Sequence, residues 1–490
     1  MPGKPAGDGR PNILFVMTDQ QRYDTIGANG NPLVSTPRLD RLATEGMRFG
    51  QAYTCLPICA PARGSIMTGT YPHRHGILSN FTFNRATPVY RLRDDETTFP
   101  ALLSQCGYQL GYAGKWHVGD VLSASDYGFE GWSLPGYGDV RGCPAYRAYL
   151  EHLGLPDLEP VVEQSMIAET RFDSNQTSGY TPGPPEAHPI GFVAHTARGL
   201  LRTFAERQRA TGRPFYLGVH FWEPHAPYVP SEPYASAIDP DRIPPWENFH
   251  DDLAGKPECL RRYRDVVYAN AARMTWPEWQ KAIARYWGAV SQIDAEVGSI
   301  LDLLEQEGLE ANTVVIYTSD HGDTAGCHGG CFDKGVTMFE ELTHLPLIVR
   351  WPGHIAPASA CDAFVSNVDY MPTFLELAGT ATPAALDGRS LTPLLSGKAP
   401  DDWRDSVVTE FHGLRFPEAK RVVRWKSFKY IMNFASIEEL YDLGTDPGEL
   451  RNLARERDYA EVVGQMRSRL LDHMRATDDQ LGHVWPLMLQ

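Results

Sequence analysis

The stretch Asn12-Ile13-Leu14-Phe15-Val16-Met17, stopped by Thr18-Asp19-Gln20-Gln21, is the one whose reading decides the fold. An unbroken apolar run of this length reads as a strand covered on both faces, the kind found inside a parallel sheet. Thr36-Pro37 then opens a helix with Leu39, Leu42 and Ala43 on one face, and Gly46 ends it. The alternation repeats along the chain. Thr98 to Cys106 reads as a helix leading into a strand near Tyr108 to Ala113. Pro214 to His220 is an apolar strand after a helix ending near Arg209. A long helix from about Trp279 to Glu307, with Ile293, Val297, Ile300 and Leu304 at helical spacing, feeds the strand Thr313 to Thr318. Strands alternating with helices predict an α/β fold, a large and mostly parallel sheet with helices on both faces.

Ligand sites in such sheets lie beyond the carboxyl ends of the strands. Polar residues gather at those ends: Asp19 after the first strand, Lys115 and His117 after another, Glu223 and His225 after a third, Asp320 and His321 after a fourth. The Pro/Gly-rich stretch Thr181 to Pro189 and the aperiodic segment Tyr228 to Arg273 read as loops or lids around that site. After Gly397 the pattern changes. Val407 to Phe411, Arg421 to Trp425, Phe428 to Met432 and Glu439 to Leu443 are short alternating runs, and a helix follows from about Tyr459 to Met474. The expected organisation is a larger domain over 1–397 and a smaller α+β domain with an antiparallel sheet over 398–490.

The 490 residues carry a formal net charge of −16. That balance argues against nucleic acid or an anionic membrane as partner. Met1 to Arg10 is polar and rich in Gly and Pro, and Ile13 to Met17 is too short for a signal core or a membrane span. Eight cysteines, at 55, 59, 106, 143, 259, 327, 331 and 361, show no disulfide rhythm. Together these features point to a cytoplasmic enzyme. The apolar tail Gly482 to Gln490 suits docking, on its own chain or on a second copy in a homo-oligomer.

Cys59-Ala60-Pro61-Ala62-Arg63, followed by Thr68-Gly69, carries the chemistry. Pro61 suits the first turn of a helix, where its missing N–H costs nothing. Cys59 therefore sits at the helix mouth, where free N–H groups and the helix dipole favour an anion. Arg63 lies one turn in. This run resembles the sulfatase signature of the alkaline phosphatase superfamily, with Ala62 where serine is usual. Gly107-Tyr108 through Gly114-Lys115-Trp116-His117 resembles the second signature, and the resemblance spans essentially the whole chain.

The resemblance implies an alkaline phosphatase-like fold and conversion of Cys59, by a formylglycine-generating enzyme, to formylglycine (3-oxoalanine). Its hydrate would give one hydroxyl to a metal and keep the other as nucleophile. One divalent ion would be held by Asp19, Gln20, Asp320, His321 and the residue-59 oxygen, with calcium favoured and manganese or magnesium next. Lys115 would meet a sulfuryl oxygen, and His117 would act as the base that expels sulfate. His225 and Lys334 would bind the sulfuryl group and the leaving oxygen, Arg63 would steady the nucleophile, and Asn80 would bond the sulfuryl group. His73, His75 and His328 read as structural. The expected reaction is hydrolysis of an aryl or small organic sulfate ester. Two alternatives stand beside it: a phosphonate monoester or phosphodiester hydrolase, the branch with which Gln20 and His321 are associated, and a catalytically silent binding protein if Cys59 stays a thiol. Phe221, Trp222, Tyr228 and Trp246 are candidates to line an apolar substrate pocket, although aromatics near strand ends are more often core.

Overall fold

The first strand does what its apolar run requires, alternating between two cores. In a computed structural model that describes residues 9–80, 91–167, 176–434 and 436–488, Ile13, Phe15 and Met17 enter one apolar layer with Tyr370 and Phe374. Leu14 and Val16 enter the opposite layer with Phe192, Ile293 and Val297. Side chains of a strand point to opposite faces in turn, so a strand between two helical layers must be apolar at every position.

Eight strands form the main sheet: β1 (Asn12–Asp19), β2 (Met47–Phe49), β3 (Gln109–Lys115), β4 (Glu130–Leu134), β5 (Phe215–Pro224), β6 (Thr313–Ser319), β7 (Leu347–Arg350) and β8 (Ser359–Cys361). Their order is β8-β2-β7-β6-β1-β5-β3-β4. The run from β6 to β4 is wholly parallel, whereas β7 is antiparallel to both its neighbours. The sheet is thus mixed and mostly parallel, as expected. The first strand runs two residues further than its apolar run, so Asp19 is its last residue rather than the first of a loop.

Helix α1 (Pro37–Glu45) opens with its proline. Helix α2 (Cys59–Thr68) starts at the cysteine itself, with Ile58 in extended conformation before it and Gly69 left-handed after it. Helices α3 (Pro189–Thr211) and α4 (Trp276–Gln306) cover the face built on Leu14 and Val16. Helix α4 begins three residues before the expected point, because Thr275 and Glu278 form a capping box ahead of Trp279. The segment 228–273 holds only short helical pieces, such as Glu258–Arg262, and no strand.

The C-terminal part is an antiparallel meander of Ser406–Phe411, Lys420–Trp425, Phe428–Asn433 and Glu439–Asp442. One face, with Val423, Tyr430 and Leu440, packs on the helix Ala460–Ala476. The other face, with Val422, Ile431 and Tyr441, joins Tyr263 and Trp279 of the larger part in one core. The apolar tail docks on its own chain: Trp485 is buried among Tyr430 and Met474. Residues 1–8 of the N-terminal stretch and 489–490 of the tail lie outside the described residues. Among the described residues no helix is long and apolar enough to cross a membrane.

Candidate active site

Three strand ends and one helix mouth meet at a single point. Asp19 ends β1, Lys115 ends β3, Asp320 and His321 follow β6, and Cys59 opens α2. Asp19, Cys59, Asp320 and His321 each present one donor atom, all within 4.8 Å of one another, and all four are buried. Cys59 Sγ lies 3.2 Å from His321 Nε2 and 3.6 Å from Asp19 Oδ1. His321 turns its Nδ1 to the Gly322 carbonyl at 2.9 Å, which leaves Nε2 facing the cluster. A buried set of two carboxylates, one imidazole and the residue-59 side chain has the donor chemistry of a divalent-cation site.

Arg63 backs this cluster instead of facing outward. Its Nε donates to Asp320 at 2.9 Å and its Nη2 to Asp19 at 3.1 Å, while Nη1 donates to the Lys115 carbonyl at 3.0 Å. The guanidinium therefore orients both carboxylates, its hydrogen bonds going to them and to the Lys115 carbonyl. Burial and the charge of Asp19 push the Asp320 carboxyl up to about 6. Asp19, despite burial and the charge of Cys59, is held below the usual carboxylate range by Lys115, His225 and Arg63. Burial opposes a charged His321, but Asp320 and Cys59 outweigh it and bring the ring up to about 9.

Lys115 reaches in from the opposite side. Its Nζ is 2.7 Å from Asp19 Oδ2 and 4.0 Å from Cys59 Sγ, and it stands 4.0 Å from the centre of the Tyr137 ring. Gly114, with a φ of +114°, makes this possible: a Cβ there would lie 1.9 Å from the His220 carbonyl oxygen of β5. His117 has a left-handed backbone, φ 51°, rare for a residue with a side chain. Burial, reinforced by Lys115, brings its ring down to about 4, so it is neutral, and it hydrogen-bonds with Cys59. Burial alone would raise the Cys59 thiol. Lys115, Lys334 and His321, together with that hydrogen bond, hold it well below the usual thiol range.

Lys334 and His225 form the remaining wall. Lys334 Nζ donates to Gln20 Oε1 at 2.7 Å and to His225 Nε2 at 2.8 Å, and it also contacts Asp333 at 3.2 Å. His225 Nδ1 donates to the Ala226 carbonyl at 2.7 Å. Gly335 has no room for a side chain, since a Cβ would stand 2.2 Å from the Tyr263 ring. Asn80 accepts from the Ala60 N–H at 3.1 Å and points its amide nitrogen at Cys59 Sγ from 3.9 Å.

Gln20 sits beside the four-atom cluster with its amide already engaged. Its Oε1 accepts from Lys334, and its Nε2 donates to Asp323 Oδ2 at 2.6 Å. Asp323 escaped the sequence reading. Fully buried, it also accepts from the Tyr228 hydroxyl and from the N–H groups of Ala325 and Asp333, so one carboxylate fixes both Gln20 and the loop that carries Lys334. The signal was present, three residues after Asp320 in Asp320-His321-Gly322-Asp323. Tyr137, which supports Lys115 and stands 3.4 Å from His225 Nδ1, lies on a loop with no motif to mark it.

The expected aromatic pocket is corrected. Phe221 and Trp222 are buried in the core shared with α3, Tyr228 is spent on Asp323, and Trp246 donates to the Ala325 carbonyl. The histidines read as structural are held by their own partners: His73 by Glu410, His75 by Ser65, His328 by Asp251.

The sequence model of the sulfatase family matches residues 11–380, and that of the N-sulphoglucosamine sulphohydrolase C-terminal region matches residues 326–476. The chain is 30% identical to an uncharacterized sulfatase of Escherichia coli over 98% of this chain and 90% of that protein. It is 28% identical to an N-acetylglucosamine-6-O-sulfatase of Bacteroides thetaiotaomicron, over 96% and 87% respectively. Among solved structures, the phosphonate monoester hydrolase of Agrobacterium radiobacter superposes with a TM-score of 0.79 at 25% identity, covering 96% of each chain. With the family match spanning most of its length, the chain belongs to the sulfatase family and has that family's alkaline phosphatase-like fold.

Proposed function

We propose that the protein hydrolyses an aryl or small organic sulfate ester, with Cys59 converted to formylglycine as nucleophile. The observation that carries this reading is the company of Cys59: Lys115 Nζ 4.0 Å away and a neutral His117 hydrogen-bonded to it. Lys115 is a fixed positive charge for the non-bridging oxygens of a tetrahedral sulfuryl group, where charge must be balanced as the S–O bond breaks. A neutral His117 can take the proton from the residue-59 hydroxyl and so release sulfate. The leaving oxygen needs a proton. Lys334 is the donor in hand, since His225 has turned its own N–H to Ala226 and accepts from Lys334 at Nε2.

The divalent ion, when bound, supplies positive charge to the ester oxygens. Asp19, Asp320, His321 and the residue-59 oxygen would hold it, oxygen-rich and so suited to calcium, magnesium or manganese. Gln20 belongs to this set only if its Oε1 leaves Lys334. Free thiols at all eight cysteines support a reducing compartment, in keeping with a cytoplasmic enzyme.

A second reading, a phosphonate monoester or phosphodiester hydrolase, is favoured by the Gln20 and His321 variant and by the likeness to the Agrobacterium radiobacter enzyme. The name of the Bacteroides thetaiotaomicron relative adds amino-sugar sulfates to the substrates worth trying. Peptide mass spectrometry on protein co-expressed with a generating enzyme tests the nucleophile. The aldehyde or its hydrate is expected at residue 59 in proportion to activity; fully active protein with an intact Cys59 thiol overturns the assignment.

A further inference from the structure

The four donors of the site fit one ion better while residue 59 is still a cysteine. A tetrahedral zinc ion has Zn–S near 2.3 Å and Zn–N and Zn–O near 2.0–2.2 Å, which sets the edges between neighbouring donors at about 3.4–3.6 Å. The observed edges are 3.2 Å from Cys59 Sγ to His321 Nε2 and 3.6 Å from Sγ to Asp19 Oδ1. His321 Nε2 stands 3.9 Å from Asp19 Oδ1 and 3.7 Å from Asp320 Oδ1. These four edges lie within about 0.5 Å of the ideal, so small side-chain shifts close the tetrahedron. The neighbours that might add a fifth or sixth oxygen are occupied, because the Gln20 amide is held between Asp323 and Lys334. Four donors, one of them sulfur, disfavour calcium, which takes six to eight oxygens, and favour a borderline-soft tetrahedral ion.

We propose that the unconverted chain is a zinc site in which Asp19, Cys59, Asp320 and His321 bind one Zn²⁺, and that conversion of residue 59 switches the site to hard cations. Zinc takes the Cys59 sulfur as thiolate and displaces the proton that the sulfur and His321 Nε2 share, which leaves to solvent. His321 binds through Nε2 as a neutral ring, its Nδ1–H still donating to the Gly322 carbonyl. Replacing sulfur by a hydroxyl oxygen removes the soft donor, and the oxygen-rich set that remains no longer selects zinc. The maturation state of one residue then decides which metal the protein carries. A ligated thiolate is also shielded from chemistry at sulfur. The zinc half stands whatever ester the mature enzyme cleaves, while the switch rests on the conversion proposed above.

The test uses full-length protein made without a generating enzyme, stripped of metal and titrated with Zn²⁺, Ca²⁺ and, as a spectroscopic stand-in for zinc, Co²⁺. One zinc per chain is expected, in preference to calcium, and the cobalt form should show tetrahedral bands with thiolate-to-cobalt charge transfer. Cys59→Ser should abolish the charge-transfer band and weaken zinc by at least about 10²-fold, more than is typical of losing an outer partner. Cys327→Ser, at a thiol outside the cluster, should change neither. A cobalt complex without charge transfer, zinc affinity unmoved by Cys59→Ser, or calcium preferred by the Cys59 form overturns the proposal. Two failures are distinguishable. A Cys59 form that ignores zinc, beside a converted form that binds calcium, magnesium or manganese and cleaves sulfate esters, sinks this inference alone. Protein that binds no divalent ion in either form sinks the metal centre of the proposed function as well.

Discussion

Among the described residues three clusters bring a histidine and two carboxylates close enough to share an ion, and two of them, one around Glu410 and one at the strand ends, differ in how their charge is balanced. At the seam between the two sheets, each carboxylate of the first cluster has its own cation. Glu410 takes His73 at 2.5 Å and His412 at 2.9 Å, and Asp479 takes Arg421 at 2.6 Å and 3.2 Å. His73 faces an acceptor on both ring nitrogens, Glu410 and the Thr477 carbonyl, so it carries both protons and has no lone pair to offer. At the strand ends the balance is different. Asp19 and Asp320 share the Arg63 guanidinium, Asp19 also pairs with Lys115 at 2.7 Å, and Asp320 resists ionisation. His321 Nε2 and Cys59 Sγ point at the same centre. Proximity of ligand-type residues does not distinguish a structural ion network from a ligand site; donor atoms that converge on one centre do.

The largest effect that would sharpen this contrast is at the strand ends. Asp320→Asn should lose bound divalent metal and activity together, because a hard cation needs the anionic oxygen. Elemental analysis beside an assay checks it, and retained metal in that variant breaks the contrast. Next is the Glu410 cluster. Glu410→Gln should leave metal content untouched but cost about 3–5 kcal/mol of stability in denaturant unfolding, since it leaves the buried charge on His73 without its carboxylate. The smallest effect is a pH dependence. Burial opposes charge on His73, but the hydrogen bond and charge of Glu410 prevail and raise it above its ordinary value. A group raised on folding stabilises fully below its unfolded value and loses that contribution as pH rises through its folded value. Unfolding free energy should therefore decline above neutral pH, and His73→Gln should flatten that decline.

Much of this was legible in the chain because the two signals behind it are local. Apolar runs such as Ile13 to Met17 and Val314 to Tyr317 must be covered on both faces, and that alone calls for a parallel sheet between helical layers. Polar residues closing those runs, Asp19, Lys115 and Asp320, had one place to go. What sequence could not supply was direction. Arg63 was legible as a helix residue one turn from Cys59, yet only packing decides that its guanidinium faces the two carboxylates instead of the substrate side. Asp323 and Tyr137 act through partners about 300 and 90 residues away in the chain, Gln20 and His225, and no local pattern encodes such pairs. The aromatic residues near the strand ends took the commoner of their two readings: Trp222 and Tyr228 are core residues.

The central claim is that Lys115 and His117 tune a shared nucleophile and metal to sulfate. The most direct measurement is kcat/KM of converted enzyme across aryl sulfates, choline sulfate, sulfated sugars, a phosphodiester and a phosphonate monoester, repeated with Lys115→Ala. The account predicts that a sulfate ester leads and that Lys115→Ala lowers its kcat/KM by about 10²-fold or more, with a smaller loss on the phosphodiester. A wild-type enzyme that turns over the phosphodiester or phosphonate monoester faster than every sulfate ester would contradict it.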